Sequence, residues 1–145
     1  MLARCRSSRT RRCSREPFAS VAPMEARTIA KQVAYGRIAI GAALMVKPDL
    51  VTRPWLGPVA DAPGGNVLAV TFGARDFAVG AGAAYALHTR GSARPWLLAA
   101  AFTDAIDAAA TFATRRALPS PGAPGTVALA ATGAAIGLWT ARRLS

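Results

Sequence analysis

Four stretches of the chain, near residues 29–46, 66–87, 95–114 and 126–141, are almost wholly apolar. Each approaches the roughly 20 residues that an α-helix needs to cross a bilayer. None alternates apolar with polar positions, and β-branched residues form no such run, which argues against a sheet. The breaks between them are well marked. Lys47-Pro48 stops the first stretch, because proline cannot continue a helix, and Pro54, Gly57, Pro58, Pro63 and Gly64-Gly65 read as a loop. His88, Arg90 and Gly91 end the second, and Arg94-Pro95 opens the third with proline in the first turn. Arg115-Arg116 closes the third, a second loop of Pro, Ser, Gly and Ala spans 119–125, and Arg142-Arg143 closes the fourth. The expected fold is all-α: a four-transmembrane-helix bundle.

Five charged residues break this pattern near the centres of three stretches: Arg37, Arg75, Asp76, Asp104 and Asp107. A charge at the middle of a bilayer costs on the order of 3 kcal/mol or more, so such residues turn inward, pair with one another or serve a function. Their neighbours share their faces. Thr103, Asp104, Asp107, Thr111 and Thr114 recur at helical spacing as one polar stripe. Gly73, Asp76, Gly80 and Ala83 form a second face, and Ala34, Arg37 and Gly41 a third, with small residues that admit a neighbouring helix. The three stripes read as one interface. By depth, Arg37 pairs with Asp104 and Arg75 with Asp107. Two cations cannot neutralise three carboxylates, so one aspartate, with Asp76 the first candidate, is expected to hold a proton or meet a bound cation. The cluster is thus either a structural ion-pair network or a ligand-binding one.

The competing fold is a soluble, alanine-rich antiparallel bundle. Against it, the side of the third stretch bearing Phe102, Ile106 and Ala113 offers water nothing polar, and the fourth has no polar residue between Thr132 and Thr140. Basic residues flank every stretch, and Trp55, Trp96 and Trp139 stand near the ends, as an interfacial belt requires. Four spans put both termini on one side with Arg27, Lys31, Arg90, Arg94, Arg142 and Arg143; the other side has Lys47, Arg53, Arg115 and Arg116. The excess places the termini in the cytoplasm and the protein in the inner membrane.

The formal charge of +11 is partly a tail effect, since residues 1–23 hold six arginines against Glu16 alone. Both cysteines, Cys5 and Cys13, also lie there, so the 24–145 domain has no thiol for a disulfide or metal. The tail has no apolar core and is not a secretory signal peptide. Arg11-Arg12 lacks the hydrophobic stretch of a twin-arginine signal, while the Arg- and Ser-rich composition is also that of an organellar transit peptide. Two readings remain: translation starts at Met24, or residues 1–23 form a disordered basic arm against anionic lipid. No folded element supports nucleic-acid binding.

Chemistry is sparse elsewhere. His88 is the single histidine, which rules out a histidine-based metal site, and no serine lies within a stretch beside a base. No cofactor is indicated, and the protein is expected not to be an enzyme. Arg-Pro-Trp-Leu occurs at 53–56 and again at 94–97, either a decayed duplication or the ordinary use of proline and tryptophan at a membrane interface. Gly133 and Gly137 have the GxxxG spacing of a packing or dimerisation face. The expected function is a structural or accessory membrane subunit. The alternative is a carrier that binds a proton, cation or small amphiphile through the five charges. Its partners are the lipid bilayer and either a second copy or another membrane protein.

Gly73-Ala74-Arg75-Asp76 with Gly80, the aspartates of the third stretch, and Gly36-Arg37, Gly41 and Pro48 in the first carry a resemblance. From about residue 28 to 143 the chain resembles small four-helix actinobacterial membrane proteins classed as a domain of unknown function. The resemblance implies the membrane fold and no activity. Members of that group often carry a histidine at the start of the fourth helix; Pro124-Gly125-Thr126-Val127 has none, so no role for it transfers.

Overall fold

The computed structural model describes residues 21–118 and 122–144. These form five α-helices: α1 (Val21–Val46), α2 (Pro48–Leu56), α3 (Pro63–His88), α4 (Arg94–Thr114) and α5 (Gly122–Arg143). A 3₁₀ turn, Gly57–Asp61, joins α2 to α3, and no strand occurs among the described residues. Four helices, α1, α3, α4 and α5, are long and apolar enough to cross a membrane. Large apolar side chains on their outer faces, including Ile40, Phe102, Ile106, Phe112 and Leu129, are exposed. A water-soluble bundle would hide such residues, so this surface points to a lipid environment.

The four long helices run up and down. α1 lies along α3 and α4 along α5, and the two pairs meet where α1 touches α5 and α3 touches α4. The core is made of small residues. At one end Ala30, Ala86, Leu87, Ala93, Leu97 and Ala141 pack together, and Ala34, Ala83 and Ala84 continue the seam between α1 and α3. Glycine sets the closest approaches. A Cβ on Gly41 would lie 2.6 Å from the Gly73 carbonyl oxygen, and one on Gly80 would lie 2.7 Å from that of Ala34. On the other pair, a Cβ on Gly137 would stand 3.0 Å from that of Ala101. The GxxxG pair of α5 is therefore used against α4 within the chain.

The helices overrun the sequence boundaries. α1 is already helical at Val21 rather than beginning near Ile29, so the expected tail boundary at 23/24 falls inside a helix. Packing extends it: Ala26 and Ala30 are fully buried, and the Arg27 guanidinium donates to the Leu87 carbonyl oxygen. The readings made for residues 1–20 lie outside the described residues. α3 takes in Pro63 and Gly64-Gly65, read from sequence as loop, because proline fits the first turn where its missing N–H costs nothing. α5 starts at Gly122, which abuts the Pro54 and Trp55 carbonyls and leaves no room there for a Cβ.

The expected loop after Lys47 holds α2, a helix too short to span. Pro48 opens it, Asp49 occupies the first turn, where the helix dipole favours an anion, and Gly57 ends it at φ 61°. α2 packs across the bundle end against α1, α3 and α5. Trp55 is drawn inward with it, its ring 6.3 Å from that of Phe72, so only Trp96 and Trp139 keep the outward exposure expected of a belt.

Gly80→Leu is expected to force α1 from α3 and lower stability by about 1–3 kcal/mol or more, the usual range for overpacking. Gly36→Ala, with nothing within 4 Å of the added methyl, should cost nothing. Thermal unfolding of the two variants in detergent checks the contrast; equal losses would contradict this packing.

Candidate functional site

The five mid-helix charges converge into one network across α1, α3 and α4. Arg37 is at its centre and is only 8% exposed. Its side chain leaves α1 and reaches α4, the helix diagonally across the bundle. Nη1 donates to Asp76 Oδ1 at 3.0 Å, and Nη2 donates to the Ala100 carbonyl oxygen at 3.2 Å while pairing with Asp104 Oδ2. One guanidinium thereby ties three helices.

Arg75 faces Asp107 as a two-pronged fork, with Nη1 to Oδ1 at 3.2 Å and Nη2 to Oδ2 at 2.7 Å. Both pairings expected from depth are present. Arg75 Nη2 also lies 3.2 Å from Asp76 Oδ1, the oxygen that accepts from Arg37. Asp76, the expected spare carboxylate, is instead the link between the two arginines. Arg75 sits over Phe72, with the guanidinium carbon 5.1 Å from the ring centre, a cation–π contact. The network is graded: the Arg37 and Asp104 side chains are 9% and 14% exposed, those of Arg75 and Asp107 28% and 24%.

The local sequence explains the geometry. Gly73, Asp76 and Gly80 lie on one face of α3, and the glycines bring its backbone against α1 on either side of Arg37. That approach places Asp76 within reach of Arg37. On α4, Asp104 and Asp107 are three residues apart and share a face. Gly133 of α5 completes the site, since a Cβ there would collide with the Asp104 carboxylate. Sequence reasoning took Gly133 only as half of a packing motif. Its other signal, a position level with Asp104 on the adjacent helix, needed the pairing of α4 with α5.

Of the polar stripe on α4, Thr103 donates to the Ala100 carbonyl at 2.9 Å and Thr114 to that of Ala110 at 2.9 Å. Thr111 is buried, and its hydroxyl has no partner among the described residues. His88 lies away from the network, at the end of α3, where its Nε2 is 2.6 Å from the Tyr35 hydroxyl on the exposed surface. Arg53 and Asp61, 3.1 Å apart, form a solvent-exposed pair that contributes little. Among the described residues no group of three or more His, Cys, Asp or Glu side chains is disposed to hold a metal.

Compared with family models, curated proteins and solved structures, the chain matches none.

Removing one member of a buried ion pair strands its partner and typically costs about 3–5 kcal/mol. Arg37→Met, which strands Asp104 and leaves Asp76 with Arg75 alone, is expected at the top of that range. Asp107→Asn should cost clearly less, because Arg75 keeps its contacts with Asp76 and the Phe72 ring. Unfolding in detergent ranks the two, and the reverse order would place the centre of the network elsewhere.

Proposed function

We propose that the chain is a small integral membrane protein with a structural or accessory role, its Arg/Asp network fixing the register of a bundle of small-residue helices. The observation that carries this is the double use of Asp76, which joins the Arg37 and Arg75 pairs into one unit. A network that ties three helices through one shared carboxylate is suited to holding them in place. No catalytic step is assigned to it. The up-and-down order groups Arg27, Lys31, Arg90, Arg94, Arg142 and Arg143 at one end and Lys47, Arg53, Arg115 and Arg116 at the other. This distribution supports cytoplasmic termini in an inner membrane. The Gly-Ala-Arg-Asp run of α3 supports placing the chain with the small actinobacterial four-helix proteins it resembles.

A second reading is favoured by one observation. Three carboxylates face two guanidiniums, so the network carries an excess negative charge deep in the bundle. Such a site suits a proton or a monovalent cation, which a carrier would exchange.

Alkaline-carbonate extraction of membranes from cells expressing the chain is expected to leave it in the pellet; release as a folded soluble protein would end both readings. Asp76→Asn, Asp104→Asn and Asp107→Asn separate them. Under the structural role each lowers folded yield, and neither salt nor pH restores it. Under the carrier role one of the three folds normally and loses a pH- or sodium-dependent rise in melting temperature.

A further inference from the structure

α4 and α5 are close at one end of their pair and apart at the other. Gly133 and Gly137 of α5 lie against Asp104 and Ala101 of α4, whereas at its start α5 meets α2, with Gly122 on the Pro54 and Trp55 carbonyls. A groove of about 500 Å³ opens between α4 and α5 at that end. Phe112 of α4, Arg115 just past its end, and Ala123, Val127, Ala128 and Ala131 of α5 line it. Phe112, Ala128 and Ala131 are exposed, so the groove lies open on the outer, lipid-facing side of the bundle.

The groove is charged at its mouth and apolar in its depth. Arg115 stands level with the helix ends, where a membrane-spanning segment meets the headgroups. From there the α5 wall, Ala123 to Ala131, runs inward for about 12 Å at the helical rise. Arg115 is held in place at the mouth. Its guanidinium carbon is 3.9 Å from the Phe112 ring centre, and Nη1 donates to the Phe112 carbonyl oxygen at 2.6 Å. That bond leaves most of its N–H donors unused. Neither Arg115 nor Arg116 has an acidic partner among the described residues. A pre-positioned guanidinium with idle donors suits a phosphate, which it can meet with two parallel hydrogen bonds.

The order of these features along the helix axes names the occupant. A free anion would use the arginine and leave the apolar walls bare; a hydrocarbon would do the reverse. A phospholipid uses both, with its phosphate at the mouth and an acyl chain along the alanines. Net charge then selects among phospholipids. Arg115 and Arg116 are adjacent cations with no acid to balance them, whereas a zwitterionic headgroup brings its own cation to its phosphate. We propose that the groove between α4 and α5 binds one anionic phospholipid, its phosphate on Arg115 and an acyl chain against Val127, Ala128 and Ala131. The proposal rests on the membrane placement above, which carbonate extraction tests separately.

The test uses the full chain in detergent with two lipids of identical chains: dioleoylphosphatidylglycerol, which is anionic, and dioleoylphosphatidylcholine, which is zwitterionic. The anionic lipid is expected to raise the melting temperature saturably. The zwitterionic one should need at least about ten times the concentration for the same rise, roughly the worth of one charge-assisted hydrogen bond. Arg115→Gln should bring the anionic lipid down to the level of the other; Arg115 is exposed and bonds only within its own turn, so the variant should fold like the parent. Ala128→Phe, which sets a ring in the groove from an exposed position, should weaken both lipids about tenfold. Arg94→Gln, at the opposite end of α4, should keep the full preference. No response to either lipid, equal responses to the two, or the same rise from inorganic phosphate would each overturn the proposal. So would full binding of the anionic lipid by Arg115→Gln or Ala128→Phe. An equal loss in Arg94→Gln would do so too, by showing a diffuse effect of charge in place of a site.

Discussion

Everything in this bundle is arranged around one guanidinium. Arg37 stands mid-helix in a segment of membrane-spanning length, and its side chain is almost wholly enclosed. A cation there must meet carboxylates, and carboxylates must in turn be brought to it from helices that have no other reason to come so near. Glycine solves the distance. Gly41, Gly73 and Gly80 let α1 and α3 touch backbone to backbone, and Gly133 leaves space for the Asp104 carboxylate on the far side. The small residues and the charges are one device: without the close approach the pairs could not form, and without the pairs the approach would have no fixed register.

The parts of this device that lie within one helix were legible in the sequence. The inward faces of α1, α3 and α4 follow from spacing, and the pairing of Arg37 with Asp104 and Arg75 with Asp107 follows from depth. What spacing could not supply was the relation between helices. Asp76 is the first candidate for the surplus carboxylate by count, and the count stands; what spacing could not show is that one of its oxygens serves both arginines. Gly133 belongs to the site only because α5 lies along α4. The helix ends were misplaced for a similar reason. Proline and glycine read as breakers, yet Pro48, Pro63 and Pro124 all fall in first turns, where a breaker becomes a starter. α2 was read as loop since nine residues with two prolines carry little periodicity, and its packing across the bundle end supplies what its sequence lacks.

The network and a cleft divide the molecule unevenly. Around Arg37 and Asp104 exposure is lowest, and the small residues Ala34 and Gly80 of the α1–α3 seam lie beside Arg37. Around Arg75 and Asp107 the packing loosens, because α3 and α4 touch little and their seam opens into a cleft of about 220 Å³ towards α2. Phe72 joins the two regions, facing the Arg75 guanidinium and the Trp55 ring.

That asymmetry bears on why charges are used here at all. Alanine- and glycine-rich helices in lipid gain little from burial, since lipid is as apolar as their own side chains, and small interdigitating surfaces can slide past one another. An ion-pair network resists sliding, because a shift of one turn in any of the three helices would strand a charge in hydrocarbon. Stability is a poor explanation for such a network, as apolar packing often does as well. Register is the better one under the proposed structural role: Arg37 touches α3 and α4 from α1 at one alignment, and the more exposed Arg75 fork adds a second tie between α3 and α4.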